Sequence, residues 1–262
     1  MSSSYLDKAN MYRILAEYYM YRDPQRYQYY YSKFQNNKER FVQSYEKQRV
    51  SKKQTSQQFD ATRKRAWIKF LHAASNAQNQ RIDIFVNNEL VEANVRYGEA
   101  TRYVEIERGT YRVTVYPAGE RTQPLVVAKF FADPEQAYML TLTNPDQGTR
   151  QILQFINYYI RPIPIMRMAK VRFIHLASGF PAVDIQTGTG TPIFKNIVYE
   201  DASNYRSLQP DLYDLVVYQA GTNEKIASFP RVRLDSEQVI TIVALKVNDQ
   251  LQIILIEDLL KI

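Results

Sequence analysis

The sequence predicts a mainly β fold, two tandem antiparallel Greek-key β-sandwiches preceded by an α-helical hairpin arm. Three observations predict it. One signature occurs twice, first as Ala66-Trp-Ile-Lys-Phe-Leu-His-Ala-Ala-Ser75 and again as Ala169-Lys-Val-Arg-Phe-Ile-His-Leu-Ala-Ser178. The stretches around both copies read as short alternating segments split by turn residues, with no helix between them, which excludes a parallel α/β fold. The third is a sharp compositional split: residues 1–65 hold 14 of the 34 Lys/Arg, 6 of the 27 Asp/Glu, 10 of the 21 tyrosines and none of the 8 glycines. That arm carries a net charge of +8, and the remaining 20 basic and 21 acidic residues leave −1.

The first helix is expected over 5–22, with Ser3 or Ser4 as its cap and Leu6, Ala9, Leu15, Ala16 and Tyr19 near helical spacing. Asp23-Pro24 interrupts and restarts it, since Asp caps well and Pro suits the first helical position. In the second helix Tyr27, Tyr30, Tyr31, Phe34, Phe41 and Tyr45 form one aromatic stripe. Such a stripe needs a partner, either the first sandwich or another subunit, and these six residues are the candidate self-association surface. The arm is assigned to 1–48. Residues 49–65 are polar and read as a linker.

The first sandwich spans 66–160, with strands expected near 66–74, 81–87, 101–106, 110–117, 124–131, 137–143 and 151–159. Asn87-Asn88 suits a hairpin turn. Residues 161–168 contain two prolines and read as a stiff, extended junction. The second sandwich, 169–262, repeats the plan near 169–177, 182–187, 192–198, 203–208, 212–219, 225–233, 238–247 and 250–257. Val239-Ile-Thr-Ile-Val-Ala-Leu245 is apolar on both faces, which marks a central or covered strand.

The echo between the copies extends beyond the signature. Asn94-Val-Arg-Tyr97 answers Asn196-Ile-Val-Tyr199, Tyr103 answers Tyr205, and the strands through Tyr111 and Tyr213 close on Ala118-Gly119 and Ala220-Gly221. The only two histidines, His72 and His175, occupy equivalent places, and Asp83 answers Asp184 in Pro181-Ala-Val-Asp184. This pattern resembles the domain of unknown function 4397 family of bacteria. The resemblance implies an Ig/transthyretin-like sandwich and a cell-surface setting, often in tandem, but no activity. The first copy lacks the Pro-Ala before its Asp and is divergent. The Tyr-rich, basic arm also resembles spore coat proteins of Gram-positive bacteria.

Candidate chemistry is sparse. His175, Ser178 and Asp184, like His72, Ser75 and Asp83, have the residue types of a hydrolytic triad. However, Ser and His three apart on one strand point to opposite faces, and no glycine-rich elbow presents the serine. The simpler reading makes them semi-buried polar groups bonded to each other or to turn backbone. With no cysteine, no acidic loop and no phosphate-binding glycine loop, neither a metal nor another cofactor is expected. No run of 18 apolar residues exists, and the N-terminus reads as lacking a signal peptide.

The expected function is therefore a non-enzymatic structural protein of a bacterial spore or cell surface. It would be made in the cytoplasm and assemble with itself or other coat proteins through its arm and sheet edges. The alternative is a carbohydrate- or peptidoglycan-binding sandwich using Tyr97, Tyr199 and Tyr205. A hydrolase and a non-specific nucleic-acid binder acting through the basic arm are weaker readings.

Overall fold

A computed structural model describes residues 8, 9, 11–13, 15, 16, 19, 23–52, 65–144 and 153–260, with backbone only for 41–52. Two compact units, Met1–Thr62 and Arg63–Ile262, are described separately.

In the first unit the described residues between 8 and 19 are helical, and helix α1 spans Pro24–Lys52. Asp23 caps α1 as the sequence predicts: its Oδ1 accepts from the backbone N–H of Gln25 and Arg26, both at 3.1 Å. The helix continues through residues 49–52, past the expected linker start, because Arg-Val-Ser-Lys contains no proline or glycine to end it. The rest of the expected linker, 53–64, lies outside the described residues.

The second unit is mainly β. In the first repeat the strands are β1 (Arg65–His72), β2 (Ile82–Val86), β3 (Glu89–Val95), β4 (Val104–Glu107), β5 (Gly109–Pro117), β6 (Val126–Ala132), β7 (Ala137–Thr143) and β8 (Gln154–Ile160). The second repeat follows with β9 (Ala169–Leu176), β10 (Val183–Thr187), β11 (Pro192–Ile197), β12 (Arg206–Leu208), β13 (Asp211–Gln219), β14 (Lys225–Leu234), β15 (Val239–Val247) and β16 (Gln250–Glu257). Each repeat pairs two four-stranded sheets, β4-β1-β7-β8 with β3-β2-β5-β6, and β12-β9-β15-β16 with β11-β10-β13-β14.

Two expectations change. The sheets are not wholly antiparallel, because β1 runs parallel to β7 and β9 parallel to β15. The chain crosses to the facing sheet between these strands, so strands can do what crossover helices do in α/β folds. β3 was not anticipated. Its sequence, Glu-Leu-Val-Glu-Ala-Asn-Val, is largely solvent-facing and lacks clean alternation, as an edge strand can. Asn87 and Asn88, with φ of 50° and 70°, make the hairpin turn that joins it to β2.

Three apolar cores stack through this unit. Ile68, Phe70, Ile84, Val115 and Leu140 fill the first sandwich, and Val171, Phe173, Ile185, Val217 and Ile242 fill the second. The third core joins the repeats: Leu71, Met139, Tyr158 and Ile160 meet Ile174, Leu176, Val243, Leu245 and Ile256. The outer faces of the β1–β7 and β9–β15 pairs are therefore packed against each other. This explains the doubly apolar β15, which sends Ile240, Ile242 and Ala244 into its own sandwich and Val243 and Leu245 into the seam.

The junction at 161–168 is folded back, not extended. The Met168 N–H bonds the Ile165 carbonyl at 3.2 Å, and Arg167 sits at φ 61°. The Lys170 Nζ ties the segment down by donating to the carbonyls of Arg161 and Ile163 at 2.7 and 2.8 Å.

Leu71 and Ile174 would be outward-facing on a lone sandwich. Because both lie in the shared core, Leu71→Ala and Ile174→Ala should each cost about 2–5 kcal/mol, like a truncation inside either sandwich. Urea unfolding of the full chain measures this; losses of about 0.5 kcal/mol, typical of surface sites, would contradict the shared core.

Candidate functional site

The signature polar residues are engaged in equivalent ways in both repeats. His72 lies at the end of β1 with no exposed surface, its Nε2 3.2 Å from the Gln80 carbonyl and its Nδ1 accepting from the Ala74 N–H at 3.4 Å. His175 repeats this with the Pro181 carbonyl at 3.0 Å and the Ala177 N–H at 3.2 Å. A ring with one nitrogen accepting from an amide and the other facing a carbonyl is the neutral Nε2–H tautomer. Burial pushes the His72 pKa below its ordinary value.

Asp83 and Asp184 act on backbone too. Asp83 accepts from the N–H of Asn94 at 2.8 Å and of Gly119 at 2.9 Å. Asp184 accepts from Asn196 at 2.6 Å and Gly221 at 3.1 Å. Each carboxylate ties a bulged edge strand to a tight turn. Asn94 and Asn196 adopt φ of 59° and 51°, and Gly119 and Gly221 adopt 80° and 72°, which is why the motif uses Asn and Gly there.

Ser178 Oγ accepts from Asn144 Nδ2 at 3.4 Å, and the Asn144 side chain accepts from the Ser75 N–H at 2.8 Å and its hydroxyl at 3.1 Å. His175, Ser178 and Asp184 thus have three separate sets of partners, and no triad geometry forms. Of the two bonding modes expected for His and Asp, bonding to turn backbone is the one present. Among the described residues no group of His, Asp or Glu could hold a metal ion, and no helix is long and apolar enough to cross a membrane.

The tyrosines of the motif cross the seam. The Tyr97 hydroxyl donates to the Lys246 carbonyl at 2.9 Å, and Tyr199 returns the contact to the equivalent Asn144 carbonyl at 2.5 Å, also meeting Thr143 Oγ1 at 2.8 Å. The edge of each ring meets its own histidine, at 5.7 Å for His72–Tyr97 and 6.1 Å for His175–Tyr199. Tyr205 and Tyr103 both reach Asp258, on its Oδ2 at 2.7 Å and its carbonyl at 3.0 Å. Burial raises the pKa of Tyr97, Tyr103 and Tyr205. Tyr97 and Tyr199 are therefore half-buried latches between the repeats, and Tyr205 is half-buried against Asp258 of its own repeat; none is the exposed sugar platform anticipated from the sequence.

A charge cluster lies at the centre of this seam. Lys69 and Arg172, in equivalent positions on β1 and β9, are each 3% exposed, and Asp258 is fully buried. Asp258 Oδ2 accepts from the Thr241 hydroxyl, which accepts from Arg172 Nε at 2.7 Å. Lys69 Nζ donates to the Glu257 carbonyl at 2.5 Å and lies 3.7 Å from Asp258 Oδ1. Arg172 also donates to the Tyr159 carbonyl at 2.7 Å. Two cations thus share one carboxylate, and the rings of Tyr103 and Tyr205 supply further negative faces, 4.1 Å from Lys69 Nζ and 4.9 Å from the Arg172 guanidinium. Burial holds the Lys69 pKa below its ordinary value despite Asp258. The sequence carried one signal for this cluster, a cation at the same place in both copies. Nothing in it marked Asp258.

In the arm, Tyr30 stacks on Tyr12 and Tyr19 at 6.4 and 5.5 Å, while Tyr27, Tyr31 and Phe34 run in contact along α1. None of the described aromatic side chains there is fully buried. The side chains of Phe41 and Tyr45 lie outside the described residues.

A family model described as a domain of unknown function, DUF4397, matches residues 66–186 and 169–261. The chain belongs to the DUF4397 family. The histidine, the aspartate, the Asn-x-x-Tyr pattern and the Ala-Gly turn of its two copies are the groups that brace the sandwiches and latch them together. No curated protein sequence matches the chain. Among solved structures, the C-terminal domain of AlgF from P. aeruginosa is 18% identical over 35% of this chain and 98% of its own, with a TM-score of 0.29. The Bacillus anthracis TIE protein is 12% identical over 70% and 34%, at 0.23. A family 26 carbohydrate-binding module from Eubacterium rectale Amy13K is 8% identical over 72% and 96%, at 0.24.

Two outcomes follow from the seam and the buried imidazole. Asp258→Asn strands two buried cations and should cost about 3–5 kcal/mol, whereas Lys69→Met removes the surplus cation and should cost under about 1.5 kcal/mol, both read by urea unfolding at pH 7. The depressed His72 pKa contributes stability that is present above about pH 6.5. That contribution is lost as the pH falls from there toward the folded value, because the unfolded chain takes up the proton first. Between about pH 6.5 and 5 the wild type should lose stability more steeply than His72→Gln, by up to about 1.4 kcal/mol per pH unit; equal slopes would refute the assignment.

Proposed function

We propose that the protein is a non-enzymatic structural component of a bacterial spore or cell surface that associates with copies of itself through its aromatic arm and its sheet edges. The observation that carries this reading is the incompletely buried arm. Tyr27, Tyr30, Tyr31 and Phe34 lie along one helix with Tyr29 and Tyr31 about half exposed, and a contiguous aromatic surface of this kind favours a partner. Exposed edge strands offer a second, unlike surface, and two unlike surfaces support head-to-tail growth. The engagement of His72, His175, Asp83 and Asp184 with structural backbone groups supports a scaffold over a catalyst.

Light scattering coupled to size-exclusion chromatography tests this on the full chain and on one starting at Arg65. The full chain should form concentration-dependent oligomers and the shorter one should not. Joint replacement of Tyr27, Tyr31 and Phe34 by Ser should weaken association about tenfold or more, the loss of over about 1.4 kcal/mol. A full chain that stays monomeric at high concentration overturns the reading.

A further inference from the structure

We propose that a cleft at the seam between the repeats, centred on Trp67, binds a neutral glycan. The cleft encloses about 860 Å³, within the range of about 300–1,000 Å³ common for small-molecule sites. Trp67, Arg102, Tyr103 and Glu105 line it from the first repeat, and Leu255 and Glu257 from the last strand of the second. Neither sandwich alone contains it. Its floor is held in place by the charge cluster, since Lys69 lies against the Tyr103 ring and donates to the Glu257 carbonyl.

The lining selects the ligand by chemistry. Trp67 is half-buried, and its indole N–H donates to no protein group among the described residues. Arg102 is exposed, its charge acting on Glu92 without a direct ion pair among the described residues. Both are donors that the acceptor oxygens of a ligand can engage in place of water. Glu105, paired with Arg65 at 3.0 Å, and Glu257 bring carboxylate acceptors to the rim. An anion entering the cleft meets these two carboxylates, and a cation meets Lys69 and Arg102. A simple acyl chain offers these donors no acceptor along its length. A sugar ring fits both features: its C–H face packs on an aromatic side chain, and its hydroxyls donate and accept together. The site is built from residues of the second unit alone, so it stands or falls separately from the assembly reading.

Trp67 is the only tryptophan in the chain, so its fluorescence reports occupancy directly. The full-length protein should be titrated with tetra- to hexasaccharides of β-glucan, α-glucan, mannan and chitin, and separately with decanoate and a polyuronate. At least one neutral series should change the Trp67 emission saturably, with a Kd of about 1 mM or tighter. Arg102→Ala should weaken that binding about tenfold, as loss of a charge-assisted hydrogen bond does, while the exposed Leu212→Ala leaves it unchanged. The proposal is overturned if no neutral saccharide alters the emission, if only decanoate or the polyuronate does, or if Arg102→Ala binds as well as the wild type.

Discussion

The structure depends on the burial of the outer faces of two parallel strand pairs against each other. A sandwich strand ordinarily faces its own core on one side and water on the other. Here β1–β7 and β9–β15 turn both faces inward, and the second faces meet across the seam. Leu71, Met139, Ile174, Val243 and Leu245 supply the apolar contact that makes the 200-residue unit continuous. The cross-seam tyrosine bonds follow from that packing, since hydroxyls brought into a dry interface must find acceptors.

Duplication explains the near-twofold character of the seam. Tyr97 and Tyr199 reach equivalent carbonyls in opposite directions, as residues of an isologous dimer do. Lys69 and Arg172 are likewise equivalent, but their carboxylate is not, because the position corresponding to Asp258 in the first repeat is Ile160. One buried acid therefore serves two cations. Its second oxygen, the Arg172 Nη2 and the Thr141 hydroxyl have no hydrogen-bond partner within the described residues. A buried, incompletely satisfied cluster of this kind contributes less to stability than apolar packing of similar volume does.

The family signature acquires a physical meaning from this arrangement. The histidine braces the turn after the central strand and the ring of the latch tyrosine. The aspartate pins the bulge from which the Asn-x-x-Tyr segment departs toward the seam. These roles require a neutral imidazole and a carboxylate accepting from main-chain amides, and both repeats have them. The divergent first copy keeps the same four groups, His72, Asp83, Asn94 and Tyr97, in the same contacts.

The duplication, the strand-rich character, the Asp23-Pro24 helix start and the hairpin turn at Asn87-Asn88 were all legible in the sequence. They rest on local rules: strand alternation, cap chemistry and the positive φ that Asn tolerates. The apolar run of β15 likewise announced a covered strand. Tertiary structure alone decided what covers it, because nothing local distinguishes a face packed on a ligand, a subunit or a second copy of the same fold. The same reason hid β3, whose charged edge has no alternation to read, and it turned Tyr97 and Tyr199 into the seam and Tyr205 onto Asp258, away from any sugar platform. Asp258 is the clearest case: its burial depends on Lys69 and Arg172, 189 and 86 residues away, and only the folded chain brings the three charges together.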